Sequence, residues 1–350
     1  MVYNKYIKAW LIVGCVLLFF QIIIGGITRI TGSGLSITKW EIVTGTLPPL
    51  NETAWQQEFD LYKETPQYEK INKGMDLSKF KFIYFWEYFH RLWARIMAIV
   101  FIFPLIFFII KSWVDKDLLR RLMYVFFSAM LAAVFGWIMV ASGLVERPWV
   151  NAYKLSLHLG IALMTLGFLL WTTFHVFYED KIANNNKYFT KFSKYLFIFI
   201  CIQIFFGAIV SGMRASLYYP TWPDMNGSMF PPVLLDADSW SLDGIVNYDK
   251  DALMPALIHV LHRNWGYFVY GLGIYFAIKV LRYPMRGIFY KPSIVLIILL
   301  NVQVLLGIMT LIHSKSTIPV FYGVMHQAIA IFIFGFALFN LYLFKSNSRA

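Results

Sequence analysis

Charge is what this sequence has least of. Only 14% of its 350 residues are Asp, Glu, Lys or Arg, 59% are apolar, and the mean hydropathy is +0.60. A water-soluble fold of this length has no use for so much apolar surface, so the composition excludes an ordinary globular domain. Cysteine is scarce too: Cys15 and Cys201 are the only two, in different apolar runs. That excludes a cysteine-based metal site and leaves buried thiols, not a stabilising disulfide, as the reading. Acidic residues number 19 against 31 Lys and Arg, a net charge of +12. Such an excess raises nucleic acid as a partner, but the placement of the charges argues against one.

What the chain does have is a series of apolar runs near the 20 residues that a bilayer-crossing helix needs. They lie at roughly 8–28, 86–110, 120–142, 154–177, 195–213, 256–279, 292–313 and 322–344. The expected fold is all-α and polytopic, with eight transmembrane helices set in the lipid bilayer. Basic residues collect in alternate connections: Lys5 and Lys8; Lys111, Lys116, Arg120 and Arg121; Lys181, Lys187, Lys191 and Lys194; Lys279, Arg282, Arg286 and Lys291; Lys345 and Arg349. By the positive-inside rule both termini are cytoplasmic, and the long segments 29–85 and 214–255 face outward. The first run is too long for a signal peptide and has no A-x-A-like cleavage site, so it counts as a span.

The chain is written twice. "QIIIGGITRITGSGLSITKW" (21–40) aligns with "QIFFGAIVSGMRASLYYPTW" (203–222), pairing Gln21 with Gln203, Gly25 with Gly207 and Trp40 with Trp222. "EYFHRLWARI" (87–96) aligns with "HVLHRNWGYF" (259–268), and "LHLGIA" (157–162) with "MHQAIA" (325–330). Each half, 1–178 and 179–350, reads as one four-helix unit. Because four is even, the halves share an orientation across the membrane, as two bundles related by a pseudo-twofold axis along its normal.

His90, His158, His262 and His326 open the second, fourth, sixth and eighth runs, so each half carries a pair at matching depth on two helices. That is the pattern of bis-histidine haem ligation in a helical bundle. The bland reading of a single intramembrane histidine is a hydrogen-bonded packing residue; two per repeat at one depth favour ligation. Arg91 and Arg263 follow two of these histidines directly and suit either haem propionates or snorkelling to headgroups. His259 shares a helix face with His262 as a candidate second-shell group, while His175 reads as interfacial and His313 as a loop or second-shell residue. The halves differ where Glu87 stands opposite His259. One turn before His90, a carboxylate can serve as a base or stabilise a developing cation, or simply pair with Arg91 or Arg95.

Through "GGITRITGSGLSITKW", "TGTLPP", "ETPQYEKINKGMDLSKFKFIYFWEYFHR", "VASGL", "LSLHL", "HVLHR" and "MHQAIA", the sequence resembles the haem A synthase family along nearly its whole length. The long first outer loop is similar to that of the proteobacterial and mitochondrial branch, which lacks an outer-loop cysteine pair. The resemblance implies an oxidoreductase that takes farnesylated haem O and oxidises its C8 methyl group, through hydroxylated intermediates, to the formyl group of haem A. It implies that His90 and His158 are the axial ligands of the substrate haem, with Glu87 catalytic. It further implies that His262 and His326 hold a haem b cofactor that relays electrons. "YYPTWPDMNG" (218–227) follows the family only loosely and receives no role, and the acidic loop around Asp236, Asp238, Asp243, Asp249 and Asp251 reads as solvated.

Two rivals stand beside this reading. A non-enzymatic dihaem b-type membrane cytochrome would want ligand pairs near both faces, and a haem carrier would have no need of Glu87. The electron donor is unnamed. The cytoplasmic lysine clusters could dock an acidic donor or a haem O synthase, but topology already explains them. The N-terminus lacks the composition of a mitochondrial transit peptide, which favours a bacterial plasma membrane.

Overall fold

The computed structural model describes residues 3–39, 46–144, 147–178, 186–283 and 288–345. Trp40, Lys181, Arg286, Arg349 and the first two residues of "TGTLPP" lie outside them. The described residues form α1 (Lys5–Ile30), α2 (Glu52–Lys63), α3 (Pro66–Lys70), α4 (Leu77–Ile110), α5 (Lys116–Gly143) and α6 (Ala152–Tyr178). They continue with α7 (Lys187–Gly212), α8 (Leu242–Val246), α9 (Leu253–Arg282), α10 (Tyr290–Ile312) and α11 (Val320–Leu343). No strand occurs among them.

Short polar side chains start the helices, each accepting a hydrogen bond from an otherwise unpaired N–H of the first turn. Asn4 caps α1, Asn51 α2, Thr65 α3, Asp76 α4, Asp115 α5 and Asn186 α7. Two spans begin earlier than their apolar runs: α4 at Leu77 instead of 86, and α7 at Lys187 instead of 195. The reason is length. At about 1.5 Å per residue the 34 residues of α4 reach roughly 50 Å, well past a hydrocarbon core of about 30 Å. Its first turns stand outside the apolar run, where Asp76 caps a segment too polar for hydropathy to find.

Among the described residues, seven helices are long and apolar enough to cross a membrane: α1, α4, α5, α6, α7, α10 and α11. The chain is therefore an all-α polytopic membrane protein. The 30 residues of α9 are long enough but less apolar, since its first half carries His259, His262, Arg263 and Asn264.

Two compact units make up the chain, Met1–Leu169 and Leu170–Ala350. In the first, α1 packs on α4 through indole N–H groups: Trp10 Nε1 donates to Val100 O at 2.8 Å and Trp93 Nε1 to Leu17 O at 2.9 Å. Outside the apolar run, α2 and α3 fold over the start of α4. Phe59, Tyr62, Phe80, Ile83 and Tyr84 form a small aromatic core there, and Gln67 Nε2 ties α3 to the end of α1 by donating to Gly32 O at 3.0 Å. In the second unit the core includes Phe189, Leu196, Val269, Phe276, Leu300 and Ile333.

The sequence repeat is reproduced contact by contact. Trp265 Nε1 donates to Phe199 O at 3.0 Å, as Trp93 does to Leu17 O. Gln203 Nε2 donates to His262 O at 3.0 Å, as Gln21 Nε2 does to His90 O at 3.3 Å. After the first helix of each unit the chain turns through a left-handed residue, Gly32 (φ 71) in one and Arg214 (φ 52) in the other. Glycine adopts that conformation freely and arginine does not, so only the first half shows this turn in its sequence.

Candidate functional site

Each of the four histidines lies against a glycine of the preceding long helix. A Cβ built on Gly25 would stand 3.0 Å from His90 Cε1, one on Gly136 3.0 Å from His158 Cε1, one on Gly207 2.9 Å from His262 Cε1, and one on Gly307 2.9 Å from His326 Cε1. A Cβ at Gly207 or Gly307 would force the ring to shift and one at Gly25 or Gly136 would leave it a few tenths of an ångström too close, so every ring is docked onto bare backbone. One turn before the glycines stand Gln21, Ala132, Gln203 and Gln303. The unit of repetition is thus a helix pair used four times: a glycine one turn after Gln or Ala on the first helix, a histidine on the second.

The ring nitrogens are held as well. His158 Nδ1 lies 3.0 Å from Ala132 O, and His326 Nδ1 lies 3.1 Å from Gln303 O. A carbonyl only accepts, so both rings carry their proton on Nδ1 and present a lone pair at Nε2, as a metal-ligating histidine does. Gln303 Nε2 lies 3.2 Å from His326 Nε2. His90 and His262 face amides instead: Gln21 Nε2 lies 3.3 Å from His90 Nδ1 and 3.4 Å from its Nε2, and Gln203 Nε2 lies 3.1 Å from His262 Nδ1.

In the second unit the His262 and His326 ring centroids are 6.4 Å apart, with planes inclined at 78°. Two imidazoles that each hold one metal at about 2 Å through nitrogen have their centroids roughly 6 Å apart, so the spacing fits a shared metal. Among the described residues no group of three or more His, Cys, Asp or Glu could cage a bare ion. Two imidazoles alone suit a metal whose other ligands come with it, which is the chemistry of a haem.

Beside His90 lies a charged clamp. Glu87 is 3% exposed, and its Oε2 accepts from Ser36 N at 2.7 Å, Ser36 Oγ at 2.7 Å and Ile37 N at 2.9 Å. Its Oε1 accepts from Arg91 Nη2 at 2.6 Å. Arg91 also donates to Ile37 O and Lys39 O, both at 3.4 Å, and lines a cavity of about 100 Å³ with Ile37, Thr38, Trp137, Val140, Ala141 and Leu144. In the second unit the equivalent Arg263 donates to Thr221 O at 3.0 Å, Pro223 O at 3.0 Å and Asp224 O at 2.8 Å. His259 stands where Glu87 does, its Nε2 3.4 Å from Arg263 Nη2 and its buried Nδ1 without a partner.

The structure pairs Glu87 with Arg91 and sets the His262 and His326 rings 6.4 Å apart. His313 stays apart, exposed, with Nδ1 2.8 Å from Met309 O and its ring over Tyr322. Gly136, Gly307, Gln303 and Ser36 were missed. The spacing "QVLLG" (303–307) repeats "QIFFG" (203–207) and could have revealed two of them. Ser36 carries no comparable signal, since only the turn after α1 brings its N–H to Glu87.

A family model described as "COX15-CtaA: Cytochrome oxidase assembly protein" matches residues 8–338. Three curated proteins named "Heme A synthase" are similar along nearly the whole chain. That of Flavobacterium psychrophilum is 35% identical over 98% of this chain and 99% of its own. Those of Nitrosospira multiformis and Sinorhizobium medicae are 36% and 37% identical, each over 96% of this chain and over 92% and 89% of their own.

Proposed function

The chain belongs to the COX15-CtaA family of cytochrome oxidase assembly proteins, and we propose that it has the activity its relatives are named for, the synthesis of haem A from haem O. The observation that carries this reading is a pair of like bis-histidine sites in which one neighbour differs, Glu87 against His259. In the first unit His90 and His158 ligate the substrate haem, and Arg91, on the wall of the cavity, is the cation for its carboxylates. Glu87 is the acid residue of the oxidation. Three donors saturate its Oε2, but Oε1 takes only the Arg91 fork and keeps a lone pair for a proton or a developing positive charge.

In the second unit His262 and His326 would hold a haem b, which supplies one-electron transfer when bound. Arg263, spent on three main-chain carbonyls, fixes the segment 221–224 over that site, and His259 backs Arg263. The polar first half of α9 is then explained by its ligand, and α9 is the eighth span, completing a second four-helix bundle. We read it as a protein of a bacterial plasma membrane with both termini in the cytoplasm, an orientation that the alternating basic connections support.

The test is chromatography with mass detection of haems from cells that co-express the chain with a source of haem O. Wild type yields haem A. The Glu87→Gln variant yields haem O or a hydroxylated product while the haem b spectrum is retained. Unchanged haem A in that variant would remove the carboxylate from the chemistry, and haem O with no oxidised product from folded, reductant-supplied wild type would leave a cytochrome or a carrier.

A further inference from the structure

The two units depart from their common plan at the seam between their second and third long helices. In the second unit that seam is α9 against α10, and it is clasped. Tyr270 Oη donates to Asn301 Oδ1 at 3.0 Å, and Asn301 Nδ2 donates to Ile297 O at 2.8 Å, which fixes the amide for this bond. Leu300, 4% exposed, seats against Gly273, where a Cβ would stand 2.6 Å from its Cδ1. Tyr270 and Gly273 lie eight and eleven residues after His262, and Leu300 and Asn301 lie seven and six before Gly307.

Counted the same way from His90 and Gly136, the seam of α4 against α5 holds Ala98 and Phe101, then Ala129 and Met130. The register is that of the second unit, because His90 sits on Gly25 and Trp93 on Leu17 O just as His262 sits on Gly207 and Trp265 on Phe199 O. None of the four has a side-chain donor, so no clasp forms. Ala98, Ala129 and Met130 are exposed, Met130 to 52%. Phe101 does not fill the space, since its ring packs on Trp10 of α1 at 5.5 Å and on Phe126 of α5 at 6.4 Å. One turn nearer the histidine, Ala132 stands where the second unit has Gln303. The first unit thus has an open apolar slot where the second has a shut seam.

We infer that this slot receives the farnesyl chain of haem O and that the α9–α10 clasp denies such a chain the second site, so that the two units sort haems by their tails. The slot begins at the site itself, where His158 Nδ1 lies 3.0 Å from Ala132 O. Ala98 follows Arg91 by seven residues, roughly 10 Å along α4, so a macrocycle with its carboxylates at Arg91 turns its other edge toward the slot. An isoprenoid chain has no hydrogen-bonding atom, which alanine and methionine suit. Entering the α9–α10 seam, it would break a hydrogen bond and leave both partners unpaired. The inference rests on the reading of His90 and His158 as the ligands of the substrate haem, and it adds what selects that haem.

The experiment uses the purified full chain with its second-site haem in place and the first site emptied, kept ferric and without reductant so that no turnover intervenes. Haem O and haem B are titrated in, and the low-spin spectrum of the first site gives an affinity for each. Wild type binds haem O more tightly. Ala129→Leu, and the transplanted clasp Ala98→Tyr with Met130→Asn, each weaken haem O about tenfold and leave haem B within about twofold, which also shows that the variant is folded. In the reverse change, Tyr270→Ala with Leu300→Ala lets haem O into the second site of a chain whose first site is disabled by His158→Ala. Haem B alone there overturns the role given to the clasp.

Equal losses for haem O and haem B make the slot a packing feature and overturn the inference. So does an unchanged haem O affinity, which leaves the farnesyl chain in the surrounding lipid, or a wild type without preference for haem O. Each of these leaves the first haem site standing. If uptake by the first site is indifferent to both His90→Ala and His158→Ala, no haem is ligated there, and the reading beneath the inference falls with it.

Discussion

The turns after α1 and after α7 are held down in the same way and by different chemistry. In both, an arginine that follows a glycine-docked histidine donates to equivalent main-chain carbonyls, Lys39 O for Arg91 and Thr221 O for Arg263. Behind the arginine stands a buried carboxylate in one unit and a buried imidazole in the other. The second unit shows that no carboxylate is needed to fold the turn or orient the arginine. In the first unit Glu87 also takes the Ser36 and Ile37 N–H groups, so the two halves hold like turns with different partners, and the buried charge is the feature they do not share.

The most direct way to break the comparison is Glu87→His, which gives the first unit the second unit's arrangement. Haem A formation, read as the ratio of haem A to haem O in extracts, falls by at least about 10²-fold, the usual weight of a positioned acid or base. The glycine cradles come next. Gly207→Ala brings a Cβ within 2.9 Å of His262 Cε1, and the displaced ring costs about 10–100-fold in haem affinity, measured as haem per protein. Gly160→Ala, where nothing lies within 4 Å, leaves it unchanged.

Arg263→Ala removes three charge-assisted hydrogen bonds and lowers stability by about 2 kcal/mol, seen as a lower Tm and faster proteolysis within 213–252. Arg263→Lys restores only part, because an ammonium cannot span three carbonyls as the guanidinium fork does. The smallest effect separates the outer layers. Tyr62, at the centre of the α2–α4 aromatic core, donates from its hydroxyl to Gln67 Oε1 at 3.0 Å and accepts from Asn72 Nδ2 at 2.6 Å. Burial pushes its pKa from 10.0 up to about 12, so its contribution is complete below pH 10.0 and fades as the pH climbs toward 12. Tyr62→Phe costs about 1 kcal/mol at neutral pH and removes that alkaline dependence from unfolding curves.

Much of this was legible in one dimension because lipid imposes a simple rule. Every backbone group in the bilayer has to be paired within its own segment, so apolar length reads directly as helix. The repeat then aligned histidine with histidine and isolated Glu87 as the exception. The rule fails where lipid ends. α2 and α3 lie in a segment with no long apolar run, and their burial comes from Phe59 and Tyr62 meeting Phe80 of α4 across the intervening chain. α9 was found by length and repeat, and its polar residues lower the apolarity on which span detection depends.

By itself the sequence determined the class of fold, the repeat and the kinds of side chain available for chemistry, because hydropathy, period and residue type are local properties. Only the tertiary structure decided what those side chains touch. It set each histidine on a glycine, gave His158 a carbonyl, His326 a carbonyl and an amide, and His90 and His262 an amide, and turned Glu87 toward Ser36 and Arg91. Those partners are separated by 26 residues for Ala132 and His158 and by 69 for Gln21 and His90. Hydrogen-bond direction and ring contact depend on ångström distances across helices, which residue order does not encode.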